Sequence, residues 1–263
     1  YFGKQSKILV KKKLSIPLHQ IKEISFDHVE IITRKKIRKI PINKIRHLPK
    51  KLKTKINSDL KKISSKKSNF SNLNFKKIPN ILGVLNLTPD SFSDGGKFNT
   101  KKKGFKHVMH LINSGADLID IGGESTRPGS QTIKENLEWS RLSEILKLVS
   151  KRKSISLDTR KSNIMKKGIE LGVKLINDVS GLSYDKETIN VLKKYKTPFV
   201  IQHSQGVPEN MQNKPSYKNE LLDIYDFFEE KLKFLRNKGI KHNNIILDPG
   251  IGFGKNLKHN ITI

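Results

Sequence analysis

The 263-residue sequence contains no cysteine, which excludes disulfides, thiolate metal sites and a thiol nucleophile, and gives no sign of an oxidising compartment. It also has no uninterrupted apolar run approaching the roughly 18 residues that a membrane span needs. Residues 1–30 lack the apolar block and small-residue cleavage site of a secretory signal, so a soluble, cytosolic protein is expected. Acidic residues are scarce, 24 against 53 Lys and Arg, for a net charge of +29. The deficit is uneven: residues 1–80 carry 23 basic and 4 acidic side chains, residues 81–263 carry 30 and 20. Such an arm can mark binding to nucleic acid. Here, however, aromatic side chains are not interleaved with the N-terminal lysines as a base-stacking surface requires, and Lys, Ile and Asn are enriched throughout. The excess charge therefore reads as solvated lysine.

Although the hydrophobic fraction is only 35%, the chain is long enough to bury a sizeable core. Its texture divides in two. Residues 1–76 form a basic N-terminal extension of uncertain fold, with strand-like runs at Lys7–Val10 and His28–Thr33. One narrow helical stripe is formed there by Leu52, Ile56, Leu60 and Ile63. Ser64–Phe75, rich in Ser, Asn and Lys, reads as a linker or an exposed loop.

From residue 77 onward, short apolar runs alternate with helical periodicity, the pattern of a parallel sheet with crossover helices. The expected strands are Ile81–Asn86, Leu118–Gly122, Ser154–Asp158, Lys174–Asn177, Phe199–His203 and Ile245–Asp248. The expected helices cover Lys102–Ser114, Glu135–Lys151, Ser162–Leu171, Lys186–Tyr195 and Tyr217–Asn237, the last with Leu221, Leu222, Tyr225, Phe228, Leu232 and Leu235 on one face. Polar groups stand at or near the C-terminal end of all six strands: Asn86, Asp120, Asp158, Asn177, His203 and Asp248. A doubly wound sheet gathers its site at one switch point. Contributions from every strand favour an α/β fold of the TIM-type (β/α)8 barrel class, whose sites lie on that rim. Six units fill residues 81–263, so an eight-unit barrel of about 250 residues is expected to need two more. The sequence accordingly reads as a fragment truncated at its C-terminus.

The segment Leu85-Asn86-Leu87-Thr88-Pro89-Asp90-Ser91-Phe92-Ser93-Asp94-Gly95-Gly96 is too long for a tight turn, and loops of this kind act as lids or ligand clamps. It resembles the first signature of the dihydropteroate synthases. Asp120-Ile121-Gly122-Gly123-Glu124-Ser125-Thr126-Arg127-Pro128-Gly129 resembles the second. Ser156-Leu157-Asp158-Thr159, Ile176-Asn177-Asp178 and Asp248-Pro249-Gly250-Ile251-Gly252-Phe253-Gly254-Lys255-Asn256 match further motifs, all in the family's order. The glycine-rich run is not a phosphate-binding P-loop: Pro249 stands where that motif needs glycine and Asn256 where it needs Ser or Thr. Lys255 likewise occupies the third glycine position of a dinucleotide fingerprint.

Asp158, Asn177 and Asp248 at strand ends suit the 2-amino-4-oxo edge of a pterin, since a carboxylate accepts two parallel N–H bonds and an amide both donates and accepts. A guanine-like edge would satisfy the same set. The resemblance implies condensation of 6-hydroxymethyl-7,8-dihydropterin diphosphate with p-aminobenzoate to give 7,8-dihydropteroate and diphosphate. It assigns Asn86 to the diphosphate and its Mg²⁺, an oxygen-seeking cation. Phe92, Asp94, Thr126, Arg127 and Pro128 match two loops that form the p-aminobenzoate pocket, with Asp94 and Arg127 as a closing pair. Phe253 falls against the pterin. Catalytic roles are thereby implied for Asp94, Arg127 and Asp158, and a homodimer for the full-length enzyme. One departure is Ser204, where the family usually carries methionine. The resemblance places a further lysine, serine, arginine and histidine of the site beyond Ile263. Two other readings remain: a methyltetrahydrofolate corrinoid methyltransferase-like barrel, and a non-catalytic remnant with a nucleic-acid-binding arm. His107 and His110, three apart on a helix without a third ligand, read as surface residues.

Overall fold

The computed structural model describes the chain except residues 68–69, 71–72, 74–78, 89–100, 128, 153 and 207–209. It forms two compact units, Tyr1–Asn69 and Phe70–Ile263. No helix among the described residues is long and apolar enough to cross a membrane.

The first unit runs α1 (Gly3–Lys11), β1 (Ile16–Leu18), β2 (Ile21–Phe26), β3 (His28–Ile32), β4 (Ile37–Pro41), a 3-10 turn at Ile42–His47 and α2 (Lys50–Ser64). Two antiparallel pairs, β1–β2 and β3–β4, make up its sheet structure. Lys7–Val10, expected as a strand, lies within α1. Three consecutive apolar residues, Ile8 to Val10, fit one turn of a helix as well as a strand, and in α1 the neighbouring Ser6 is buried against the Lys22 carbonyl and the Ser25 hydroxyl at 2.8 and 2.7 Å. Ser15 completes this buried serine trio through Ser25 at 2.8 Å.

The second unit repeats one motif: β5 (Leu82–Asn86), α3 (Lys101–Asn113), β6 (Leu118–Gly122), α4 (Glu135–Val149), β7 (Ile155–Asp158), α5 (Ser162–Glu170), β8 (Leu175–Asp178), α6 (Thr188–Tyr195), β9 (Phe199–Gln202), α7 (Glu220–Asn237), β10 (Ile245–Asp248) and α8 (Leu257–Thr262). All five strand pairings are parallel, and spatial order follows sequence order from β5 to β10. Such a monotonic order has no switch point and is the half-wound path of a (β/α) barrel. The fold is α/β, of TIM-barrel type, with six βα units.

Burial on both faces explains the apolar sequences of β6 to β9, whereas the edge strands β5 and β10 leave Leu82, Val84 and Leu247 exposed. On the helix-facing side, Leu85, Ile119, Ile121, Ile155, Leu157, Ile176, Phe199 and Ile201 pack against Leu142, Ile145, Leu146, Ile164, Met165 and Leu192 of the helices. The opposite, inner side is floored by Leu118, Leu175 and Val200 with Ile246. Leu73 and Phe70 join this floor, so the stretch read as a linker or an exposed loop in fact supplies two anchors. Their backbones bond to each other reciprocally at 2.8 and 3.3 Å. On α7 the buried residues are Ile224, Phe228 and Leu235, while Tyr225, expected on that face, is 56% exposed.

Candidate active site

Strand register builds the site. Asn86, Gly122, Asp158 and Asn177 are successive partners across β5, β6, β7 and β8. Because side chains alternate along a strand, these four positions share one face. The same row continues to Val200 and Ile246, so Asp248 stands two residues further along β10, opposite Gln202. Four of the polar positions expected at strand ends, Asn86, Asp158, Asn177 and Asp248, are thus brought to one rim, above the floor of Leu118 and Leu175, with Asp120 one step below.

Gly122 sets the spacing. A β-carbon there would lie 3.4 Å from both Asn86 Oδ1 and Asp158 Oδ2, so the missing side chain leaves a gap bounded by an amide oxygen and a carboxylate. Beneath it, Asp120 is 7% exposed and accepts a 3.1 Å bond from Asn177 Nδ2. That bond orients the amide and leaves Asn177 Oδ1 buried with no partner among the described residues. Burial pushes the Asp120 carboxyl up, against the hydrogen bonds from Ser156 and Asn177. Asp158 is raised well above the ordinary carboxylate range, first by burial and then by the negative charges of Asp120, Glu138, Asp178 and Glu124.

At the other end of the row, Asp248 Oδ1 accepts the Gly250 amide at 2.7 Å, and its carbonyl accepts the His203 amide at 2.9 Å. Gly250 has φ +68, and a β-carbon there would come within 2.0 Å of the His203 carbonyl oxygen, so only glycine allows the approach. The loop beyond it carries Phe253 and is tethered by Lys255. The Lys255 ammonium, on a residue 3% exposed, reaches His203 Nδ1 at 3.1 Å, the His203 carbonyl at 3.3 Å and the Phe253 carbonyl at 3.0 Å. A cavity of about 310 Å³ opens beside this loop, lined in part by Arg160, Gln202, Ser204, Phe227, Lys231 and Phe253. Gln202 is 4% exposed, and its Nε2 has no partner among the described residues. Ser204 sits in this wall.

Thr126 and Arg127 lie on the loop following β6, half-buried. Phe92, Asp94 and Pro128 fall outside the described residues. No group of three His, Asp or Glu side chains that could hold a metal occurs among the described residues. Asn86 offers a single hard oxygen at the Gly122 gap, which suits a cation whose remaining ligands come with a phosphate-bearing substrate.

Residues 82–263 match the family described as pterin binding enzyme. The dihydropteroate synthase of Clostridium beijerinckii is 43% identical over 202 residues, covering 76% of this chain and 71% of that protein. This chain belongs to the dihydropteroate synthases. The synthase of Escherichia coli K12 is 37% identical over 187 residues, covering 70% of this chain and 66% of that protein. Among solved structures, the Yersinia pestis dihydropteroate synthase with a sulfonamide drug superposes with a TM-score of 0.67 at 39% identity, over 70% of this chain and 67% of the other. The Burkholderia cenocepacia synthase complexed with 7,8-dihydropteroate gives 0.63 at 30% identity, over 72% and 65%. The chain spans between 64% and 71% of the length of three curated relatives. These relatives are synthases, which favours that family over the corrinoid-linked methyltransferase reading.

Sequence reasoning missed the groups that hold the rim together. Glu124, Glu138, Arg160 and Lys161 form a buried cluster of charges, and Gln202 and Lys255 line or support the cavity. A signal did exist for Glu138: it heads the stripe Glu138, Leu142, Ile145 and Val149, all buried on α4.

Proposed function

We propose that this chain binds 6-hydroxymethyl-7,8-dihydropterin diphosphate and p-aminobenzoate at the rim of β5–β10 and joins them to 7,8-dihydropteroate, releasing diphosphate. The observation that carries this reading is the row Asn86, Gly122, Asp158, Asn177 with Asp248 above it, a gap flanked by hydrogen-bonding groups and floored by apolar side chains. Asp158 and Asp248 accept the ring N–H groups, and Asn177 Oδ1 accepts an amino hydrogen. Phe253 packs against the ring. Asn86 takes the diphosphate end together with Mg²⁺, which when bound would neutralise charge on the leaving group. The bond between the exocyclic methylene carbon and the diphosphate oxygen breaks with its electron pair leaving on diphosphate. The p-aminobenzoate nitrogen donates its lone pair to that carbon and then loses a proton. An aromatic amine is already neutral at pH 7, so no strong base is required, and Thr126, Arg127, Pro128, Phe92 and Asp94 serve to close the site against water.

Residues 1–76 act as a separate basic module, the enzyme works in the cytoplasm, and the full-length form is a homodimer, which light scattering would read. The central test is calorimetric titration of the chain with the pterin diphosphate and Mg²⁺, followed by diphosphate release on adding p-aminobenzoate. Binding that is lost in Asp158→Asn and Asn177→Ala supports the proposal. A folded chain that binds no pterin diphosphate sinks it.

A further inference from the structure

The loop carrying Thr126 and Arg127 is closed at its base by charges. Glu124 Oε1 accepts the Ile133 amide at 2.9 Å, joining two residues nine apart. Glu124 also pairs with Arg160 Nε and Lys161 Nζ, each at 2.8 Å. Arg160 extends a second arm to Thr132 Oγ1 at 2.8 Å, and Lys161 reaches Glu138 Oε2 at 2.6 Å. Thr159 donates to the other Glu138 oxygen at 2.6 Å, and Arg141 holds the Gly123 carbonyl at 2.8 Å. Both sides of the loop's neck are thus fastened to residues 159–161, which directly follow Asp158. The loop is braced internally as well, since Ser130 Oγ lies 2.8 Å from both the Ser125 and Arg127 carbonyls. Its two ends are therefore tied to the same point, next to Asp158.

The cluster is an inefficient way to gain stability. Four charges are at most 5% exposed, two of each sign, and the desolvation of buried ion pairs offsets most of their attraction. Burial raises the Glu138 carboxyl, whereas the bonds from Arg160 and Lys161 outweigh burial at Glu124 and keep it low. Arg160 also lies 4.1 Å over the Tyr184 ring, which ties the loop after β8 to the same point.

We propose that Glu124, held by Arg160 and Lys161, is a positioning residue that fixes residues 125–127 and 129–131 relative to Asp158, and that this latch governs p-aminobenzoate capture rather than pterin binding. The second clause rests on the functional reading above; the first does not. The test compares Glu124→Gln with the unaltered full chain by amide hydrogen exchange and by separate KM values for the two substrates. Exchange at residues 125–127 and 129–131 should rise at least about tenfold, equivalent to about 1.4 kcal/mol, with β6 and β7 unchanged. The p-aminobenzoate KM should rise by a similar factor while the pterin diphosphate KM stays within about twofold. Thr132→Val removes the second anchor of Arg160 without altering a residue that lines the cavity, and should give a smaller change of the same kind even if Glu124→Gln fails to fold. Unchanged loop exchange, exchange rising across the strands as well, or both KM values moving together would overturn the proposal. A chain that binds no pterin diphosphate defeats the functional reading, while loop exchange still decides whether Glu124 is the latch.

Discussion

Replacing Lys255 with methionine should change how stability depends on pH. The ammonium is buried among three acceptors, and burial lowers its pKa from 10.5 to about 8, against the favourable charge of Asp248. A lysine with a depressed folded pKa binds protons more weakly when folded than when unfolded. Between pH 8 and 10.5 the unfolded chain therefore holds more protons, and stability rises with pH. The interval corresponds to at most about 3 kcal/mol, less where water screens the ammonium. His203 acts in the same direction at acid pH. Burial, and then the Lys255 charge, lower its pKa from 6.5 to about 4, so stability falls as pH drops through that window. Its Nδ1 must accept from Lys255 and hence be unprotonated, which assigns the Nε2–H tautomer.

Lys255→Met removes the alkaline rise outright and lets His203 titrate nearer its ordinary value. Urea denaturation followed through the single tryptophan, Trp139, at pH steps from 5 to 10.5 would measure both. Surface lysines are common to the two proteins and cancel in the difference. At neutral pH the variant should still lose stability, because the His203 and Phe253 carbonyls are left without their donor, at about 1–3 kcal/mol for each buried group. Parallel stability curves between pH 8 and 10, or a His203 ring that titrates near 6.5 in the unaltered chain, would refute the reasoning.

Three further outcomes are expected. Asp178, fully buried, has its carboxyl raised to about 6 by burial, so its ionisation disfavours the folded state. Asp178→Asn should gain on the unaltered chain by up to about 3 kcal/mol as pH rises from below 4 to above 6, checked by chemical denaturation at both ends. Gly122→Ala meets only ordinary contacts and should fold normally, but it places a methyl between Asn86 and Asp158 and should weaken pterin diphosphate binding about tenfold, measured by calorimetry. Burial and the neighbouring negative charges raise Asp158, and it must be ionised to accept ring N–H groups, so pterin binding should release a proton wherever that carboxyl is protonated. Affinity should rise with pH until that group ionises unaided, and buffer-independent binding heats would contradict this.

What the sequence made legible follows from how each feature depends on distant parts of the chain. The central strands β6 to β9 are buried on both faces and read as apolar runs, and the limits of β6 and of the edge strand β10 match those expected. The row of Asn86, Asp158 and Asn177 was accessible because parallel register carries a strand-end pattern directly into space. On α7, apolar residues cover so much of the helix that periodicity alone could not choose between a face centred on Tyr225 and the one centred on Ile224; only the packed neighbours could. Phe70 and Leu73 were hidden because a linker composition says nothing about two residues that return to the sheet. The charged latch was hidden for a stronger reason. Glu124, Arg160 and Lys161 are ordinary solvated residues unless partners 36 and 37 positions away enclose them, and no local period encodes that meeting. Glu138 alone left a trace: a carboxylate heading an otherwise apolar helical stripe must be paired or protonated, and the nearest cation able to pair it lies at the start of α5, beside the strand that carries Asp158.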